Sequence, residues 1–113
     1  MYKNEKLAMA VEANEVEWHV ARAFRHSQKR GFEQLTFDEL PWGDEVSVID
    51  TMVAEMRKYS VEEFWINERS TALIYQLGQF LENGCTVLSG EYESGKDMWG
   101  DTDYSYVLKV KVN

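Results

Sequence analysis

Two histidines, one cysteine and a run of carboxylates are the side chains of this 113-residue chain whose types and spacing suggest chemistry. His19 and His26 fall on one helix face, with Glu15 and Arg22 beside them. A zinc site needs three or four converging ligands, commonly at i, i+4 spacing. Arg22 stands between the two imidazoles and opposes a cation, so a solvated or interface-facing pair is the better reading. Cys85 follows Asn83-Gly84, a helix stop, and opens a strand. A nucleophilic thiol needs a base held beside it, and both histidines lie on a distant segment. Cys85 therefore reads as a small buried apolar residue, and a lone cysteine fits a reducing compartment.

The carboxylates form two groups. Glu91, Glu93, Asp97, Asp101 and Asp103 surround Met98-Trp99-Gly100 in a long hairpin connection. The run Asp97 to Asp103 lacks the ligand order and the closing bidentate Glu of a calcium loop. As catalytic pairs these acids have no support, because any acidic chain yields such pairs. They read either as a solvated loop or as a recognition loop, in which Trp99 at an exposed tip supplies an aromatic anchor and the acids steer it toward a basic partner. The second group is Asp38, Glu39, Asp44 and Glu45 around Pro41-Trp42, partly explained by helix capping. No catalytic residue, cofactor motif or metal set emerges, and the expected protein is not an enzyme.

The charge is unevenly placed. Residues 1–35 hold five acids and six bases, whereas residues 36–113 hold fifteen acids and six bases, so the formal charge of −8 lies in the latter segment. An anionic body argues against direct nucleic-acid binding, which needs Lys and Arg to displace phosphate counterions. No apolar run reaches membrane-spanning length, and a secretory leader is not expected, since Ala8 to Val11 is followed at once by Glu12. A cytoplasmic single domain over 1–113 follows, with an amphipathic leader helix in 1–34 and an acidic α+β body in 35–113.

The elements that must position these groups are read from periodicity. Residues 4–29 read as one long helix with Met9, Ala10, Ala13, Val16, Val20, Ala21 and Phe24 on its apolar face, flanked by Trp18. On the polar face Glu15 reaches toward His19. Gly31 stops the helix, and Lys-Arg-Gly at 29–31 suggests a hinge near 30–35. Leu35 to Leu40 contains Thr-x-x-Glu, a capping box for a short helical turn. Asp44 caps a second helix reaching Tyr59. Glu62 to Glu68 alternates as a strand, with Phe64 and Ile66 opposite Trp65 and Asn67. A third helix follows Ser70 and buries Leu73, Ile74, Leu77, Phe80 and Leu81, with Gly78 explained by close packing. Cys85 to Glu93 and Tyr104 to Val112 close the chain as a hairpin. The fold class is α+β, with helices on one face of a three-stranded sheet in the order α-α-β-α-β-β.

Residues 35–113 resemble a family of small proteins carried on conjugative and other mobile elements of gut Firmicutes. The resembling stretches are Leu35 to Leu40, Trp42-Gly43-Asp44-Glu45, Ser70 to Leu73, Asn83-Gly84-Cys85 and Leu108-Lys109-Val110. The acidic Trp99 loop departs from the shorter hairpin such a family implies. The resemblance carries no catalytic residues; it implies a genomic habitat in which small acidic proteins resemble, as a group, anti-CRISPR and anti-restriction inhibitors. Carboxylates spaced on a rigid domain compete with phosphates for the same Arg and Lys groups. The expectation is an inhibitor that occupies the basic nucleic-acid channel of a CRISPR effector nuclease. The alternative is an accessory module of a conjugative element that binds through the leader helix, which also offers a homodimer surface. A small hydrolase or transferase using Cys85 or a carboxylate pair ranks below both.

Overall fold

A computed structural model describes all residues from Met1 to Asn113. The elements run α1 (Glu5–Glu12), α2 (Trp18–Arg30), β1 (Leu35–Phe37), a 3-10 turn (Gly43–Glu45), α3 (Val48–Lys58), β2 (Glu63–Ile66), α4 (Leu73–Glu82), β3 (Thr86–Lys96) and β4 (Thr102–Lys111). The fold is α+β with four α-helices and a four-stranded sheet, ordered β1-β2-β4-β3. β1 and β2 are parallel, which requires the crossover that α3 provides. β2 with β4, and β4 with β3, are antiparallel.

The expected single helix over 4–29 is two helices. Asn4 caps α1 by accepting the Leu7 N–H at 3.0 Å. The chain then turns at Asn14, whose φ of 58° is left-handed and suits Asn better than most non-glycine residues. Glu17 restarts the helix: its carboxylate accepts the N–H groups of His19 at 2.7 Å and Val20 at 3.1 Å. From α3, Glu55 accepts the Glu17 N–H at 2.8 Å and fixes the entry of α2. The break lets both helices bury their apolar residues in one cluster with α3 and β2, and leaves Met9 71% exposed rather than in the core.

The sheet has one strand more than expected. Thr36 does not open a helix; its N–H donates to Ser27 Oγ at 2.7 Å and its hydroxyl to the Gln34 carbonyl at 2.9 Å. Leu35, Thr36 and Phe37 are all buried, and Leu35 and Phe37 stand beside Phe64 and Ile66 in register. In the stretch read as a hinge, Phe32 and Leu35 are buried. Gly31 ends α2 with φ 66°, and Phe32 beyond it is buried against Trp65 and Val107.

The alternation of β2 holds. Phe64 and Ile66 join the buried side chains of all four helices in the main core, while Trp65 faces the smaller cluster with Phe32 and Val107. α4 departs from expectation on its outer side: Phe80 is buried and Leu73 and Leu77 pack on the core, but Ile74 and Leu81 are exposed. A Cβ at Gly78 would meet no atom within 4 Å, so close packing does not account for this glycine. The two helical stretches after residue 40 also start later than read, with α3 opening at Val48 after a 3-10 turn and α4 at Leu73.

The two-helix arrangement yields a direct test. Glu17→Ala removes the cap of α2 and is expected to cost about 1 kcal/mol of unfolding free energy by urea titration. In a continuous helix the same substitution would be neutral or favourable, since Ala is the better helix former.

Candidate interaction surface

The acidic hairpin is a ribbon of two strands, eleven and ten residues long. Within β4 only Leu108–Lys111 pairs with β2, so residues 102–107 of β4 have β3 as their sole strand neighbour. Register places Tyr92 opposite Tyr106, Ser94 opposite Tyr104 and Gly90 opposite Leu108 on one face. That face continues the side on which Val110 joins the main core, but its outer tyrosines are exposed. Tyr92 and Tyr106 meet edge to face with centroids 5.1 Å apart. The Tyr106 ring also lies over Gly90, where a Cβ would overlap it.

The opposite face is where the carboxylates are spent. Lys109 Nζ lies 2.6 Å from Glu91 and 2.7 Å from Glu93, and 5.1 Å from the centre of the Trp65 ring. Hydrogen bonding to Glu91, then to Glu93, pushes the Lys109 ammonium up to about 12, and the same contact holds Glu91 below the usual carboxylate range. Arg30 reaches from the end of α2 to Asp103 at 3.4 Å and to the Ser105 hydroxyl at 3.2 Å. It can do so because Gly95 leaves room: a Cβ there would lie 3.0 Å from Phe32 and 3.2 Å from the Arg30 carbonyl oxygen.

At the tip, Asp97 organises its own loop. One carboxylate oxygen accepts the N–H groups of Trp99 at 2.9 Å and Asp101 at 3.0 Å. Gly100 completes the turn with φ 82°. Trp99 is 79% exposed and Met98 stands out beside it. Asp101 is the one carboxylate of the five that has neither an ion pair nor a side-chain hydrogen bond. The structure thus brings all six hairpin residues, Glu91, Glu93, Asp97, Trp99, Asp101 and Asp103, onto one ribbon. Three of the acids are paired with cations that the sequence pattern did not connect to them.

The second group divides in the same way. Arg22 bridges Asp38 at 3.2 Å and Glu39 at 3.3 Å, tying α2 to the loop after β1. Asp44 and Glu45, on the 3-10 turn, are exposed and have no cation partner, and Trp42 beside them is exposed as well.

The remaining reactive side chains have local roles. His19 Nδ1 lies 2.7 Å from Glu17, not Glu15, within the α2 cap. His26 lies 3.7 Å from Asp38 and packs against Phe32. The Cys85 thiol is buried, and burial pushes its pKa up. No three His, Cys, Asp or Glu side chains converge where a metal could sit. No helix is long and apolar enough to cross a membrane. The apolar residues of α1 and α2, among them Leu7, Ala10, Val20 and Ala21, are buried in the chain's own core. The exposed tyrosine face was missed because alternation marks Tyr104 and Tyr106 as core-facing without showing that the helices stop short of them.

Burial holds the His26 imidazole below its ordinary value of 6.5; Asp38 opposes this, while Arg30, Arg22 and Lys29 reinforce it. The folded chain then binds fewer protons than the unfolded one just below pH 6.5. The His26 contribution to stability is complete above that pH and falls as the pH drops toward the folded-state value. An NMR titration is expected to place the His26 midpoint under 6.5, and a midpoint at or above 6.5 contradicts the buried environment.

No curated protein and no solved structure matches the chain. One family model does, over residues 19–107, a span that runs from the first turn of α2 into β4 and takes in most of the hairpin. The chain belongs to the family described as a domain of unknown function, DUF7698.

Proposed function

We propose that this protein is a non-enzymatic binding module for a basic protein partner, and specifically an inhibitor that occupies the nucleic-acid channel of a CRISPR effector nuclease on behalf of a mobile element. The observation that carries the binding reading is the hairpin. It projects Tyr92, Met98, Trp99 and Tyr104 into solvent from a two-stranded ribbon. Several large apolar and aromatic side chains exposed on one ribbon mark an interaction site more often than a solvated loop. The net charge of −8 sets the sign of the partner, and the resemblance to mobile-element proteins supplies the nuclease.

Internal pairing changes how such binding would work. Glu91, Glu93 and Asp103 are already matched by Lys109 and Arg30, so they hold the ribbon stiff more than they present free charge. Contact then falls to the aromatic face and tip, with Asp101 as the uncommitted carboxylate. The accessory-module alternative, binding through the leader helix, keeps a narrower basis: exposed Met9 and Trp18 beside a core-committed helix pair.

The test is capture of identified CRISPR nucleases by the tagged chain, at low and high salt, together with interference measured in cells. Trp99→Ala combined with Tyr104→Ala is expected to weaken capture at least tenfold, since exposed aromatics dominate such contacts. Asp101→Lys is expected to weaken it by roughly threefold and mainly at low salt. Failure to recover a nuclease, with interference unchanged, rejects the nuclease reading. Loss of capture on Met9→Ala and Trp18→Ala instead would favour the leader-helix surface.

A further inference from the structure

Away from the hairpin, a hollow of about 270 Å³ opens between the 3-10 turn and the start of α4, lined by Trp42, Gly43, Val46, Ala72, Tyr75 and Gln76. Its two aromatic walls are directed outward: Trp42 is 69% and Tyr75 78% exposed. Gln76, by contrast, is completely buried. Its amide orientation is dictated by the neighbours, because Nε2 faces two carbonyl acceptors, Pro41 at 3.0 Å and Leu40 at 3.4 Å. The acceptor Oε1 is buried too and has no hydrogen-bond partner in the chain. A buried acceptor left unmatched is costly, so a group bearing an N–H donor is favoured there.

The loop that carries Trp42 is pinned. Gln76 holds the Leu40 and Pro41 carbonyls, and Glu68 accepts the Leu40 N–H at 2.9 Å. The backbone that leads into Trp42 is thus held in place, which lowers the entropic cost of ordering that side of the hollow on a ligand. The charge beside it is of one sign. Asp44 and Glu45 stand on the turn that forms one side of the hollow, exposed and without cation partners.

We propose that this hollow receives an arginine side chain of the basic protein partner. A guanidinium is the cation that meets all three demands together: a planar face for Trp42 and Tyr75, a donor for Gln76 Oε1, and positive charge for Asp44 and Glu45. An aliphatic side chain would fill the space but leave the Gln76 acceptor unmatched. The inference rests on the reading that the partner is basic and does not depend on the partner being a nuclease. It turns the Trp42 group from a scatter of acids into a pocket whose other half, Tyr75 and Gln76, lies some thirty residues further along the chain.

The probes are N-acetyl-arginine amide, its neutral near-isostere N-acetyl-citrulline amide, and N-acetyl-leucine amide, each titrated into the isotope-labelled full chain. The arginine probe is expected to shift the Trp42 indole and Gln76 side-chain resonances saturably, and at least threefold more tightly than citrulline. Tyr75→Ala and Trp42→Ala, both at exposed positions, are expected to abolish that preference while leaving the rest of the spectrum in place. Gln76→Met should do the same; if it unfolds by releasing Leu40 and Pro41, Tyr75→Ala carries the test. Equal or tighter binding of citrulline or leucine amide overturns the assignment, as does the absence of saturable shifts. Arginine binding without nuclease capture would uphold the pocket and remove the nuclease; capture without arginine binding would do the reverse.

Discussion

Strand β2 is four residues long, and the whole sheet is hydrogen-bonded through it. β1 lies parallel on one side and β4 antiparallel on the other. Its alternation sends Phe64 and Ile66 into the core shared by four helices and Trp65 into the smaller cluster behind the sheet. A shift of one residue would exchange these faces, driving Trp65 into the helix layer and exposing two large apolar side chains. The hairpin is joined to the rest of the sheet through this strand, because β4 pairs with β2 on one side and with β3 on the other. The cation contacts on the reverse face follow from the same register: Lys109 stands opposite Trp65, within reach of its ring.

Much of this was readable from residue patterns, and the exceptions have physical causes. The alternation of β2 and the Gly84 stop are local signals and hold. The closing hairpin is present, but its strands run on to Lys96 and from Thr102, so the expected long connection is a short turn and Glu91, Glu93 and Asp103 lie in strands. The leader was read as continuous because Asn14 to Glu17 contain no Gly or Pro, and the apolar spacing on either side is nearly in phase. What breaks it is tertiary: Glu55 on α3 binds the Glu17 N–H, and the turn lets two short helices cover one core. β1 was mistaken for a helix start because Thr36-x-x-Glu39 has capping-box spacing. The hydroxyl of Ser27, nine positions away, claims the Thr36 N–H instead. Ile74 and Leu81 have core composition on a solvent face, which no periodicity argument distinguishes at the end of a short helix.

The candidate surfaces were legible as groups of residues but not as electrostatics. A count of carboxylates treats Glu91, Glu93 and Asp103 as free charge, while folding brings Lys109 and Arg30 to them from other parts of the chain. The same holds for Asp38 and Glu39 with Arg22. Acidity in this protein therefore has two parts: one internal, fixing strand to strand and helix to loop, and one outward, at positions such as Asp44, Glu45 and Asp101. The aromatic residues carry a parallel division, with Phe32, Phe64, Trp65 and Phe80 inside and Trp42, Tyr75, Tyr92 and Trp99 outside.

The outer hairpin obeys a different rule from the rest of the molecule. Between Glu91 and Val107 the two strands pair only with each other, so their length is not set by any third strand. Lengthening both strands together by two residues would carry the tip outward and preserve every facing, whereas adding one to each would turn the tyrosine side toward Trp65 and the carboxylate side away from it. Related chains can therefore differ in reach by quantised steps, with the seat of Gly95, Asp103 and Ser105 against Arg30 and Phe32 as the one contact with the helices to be remade.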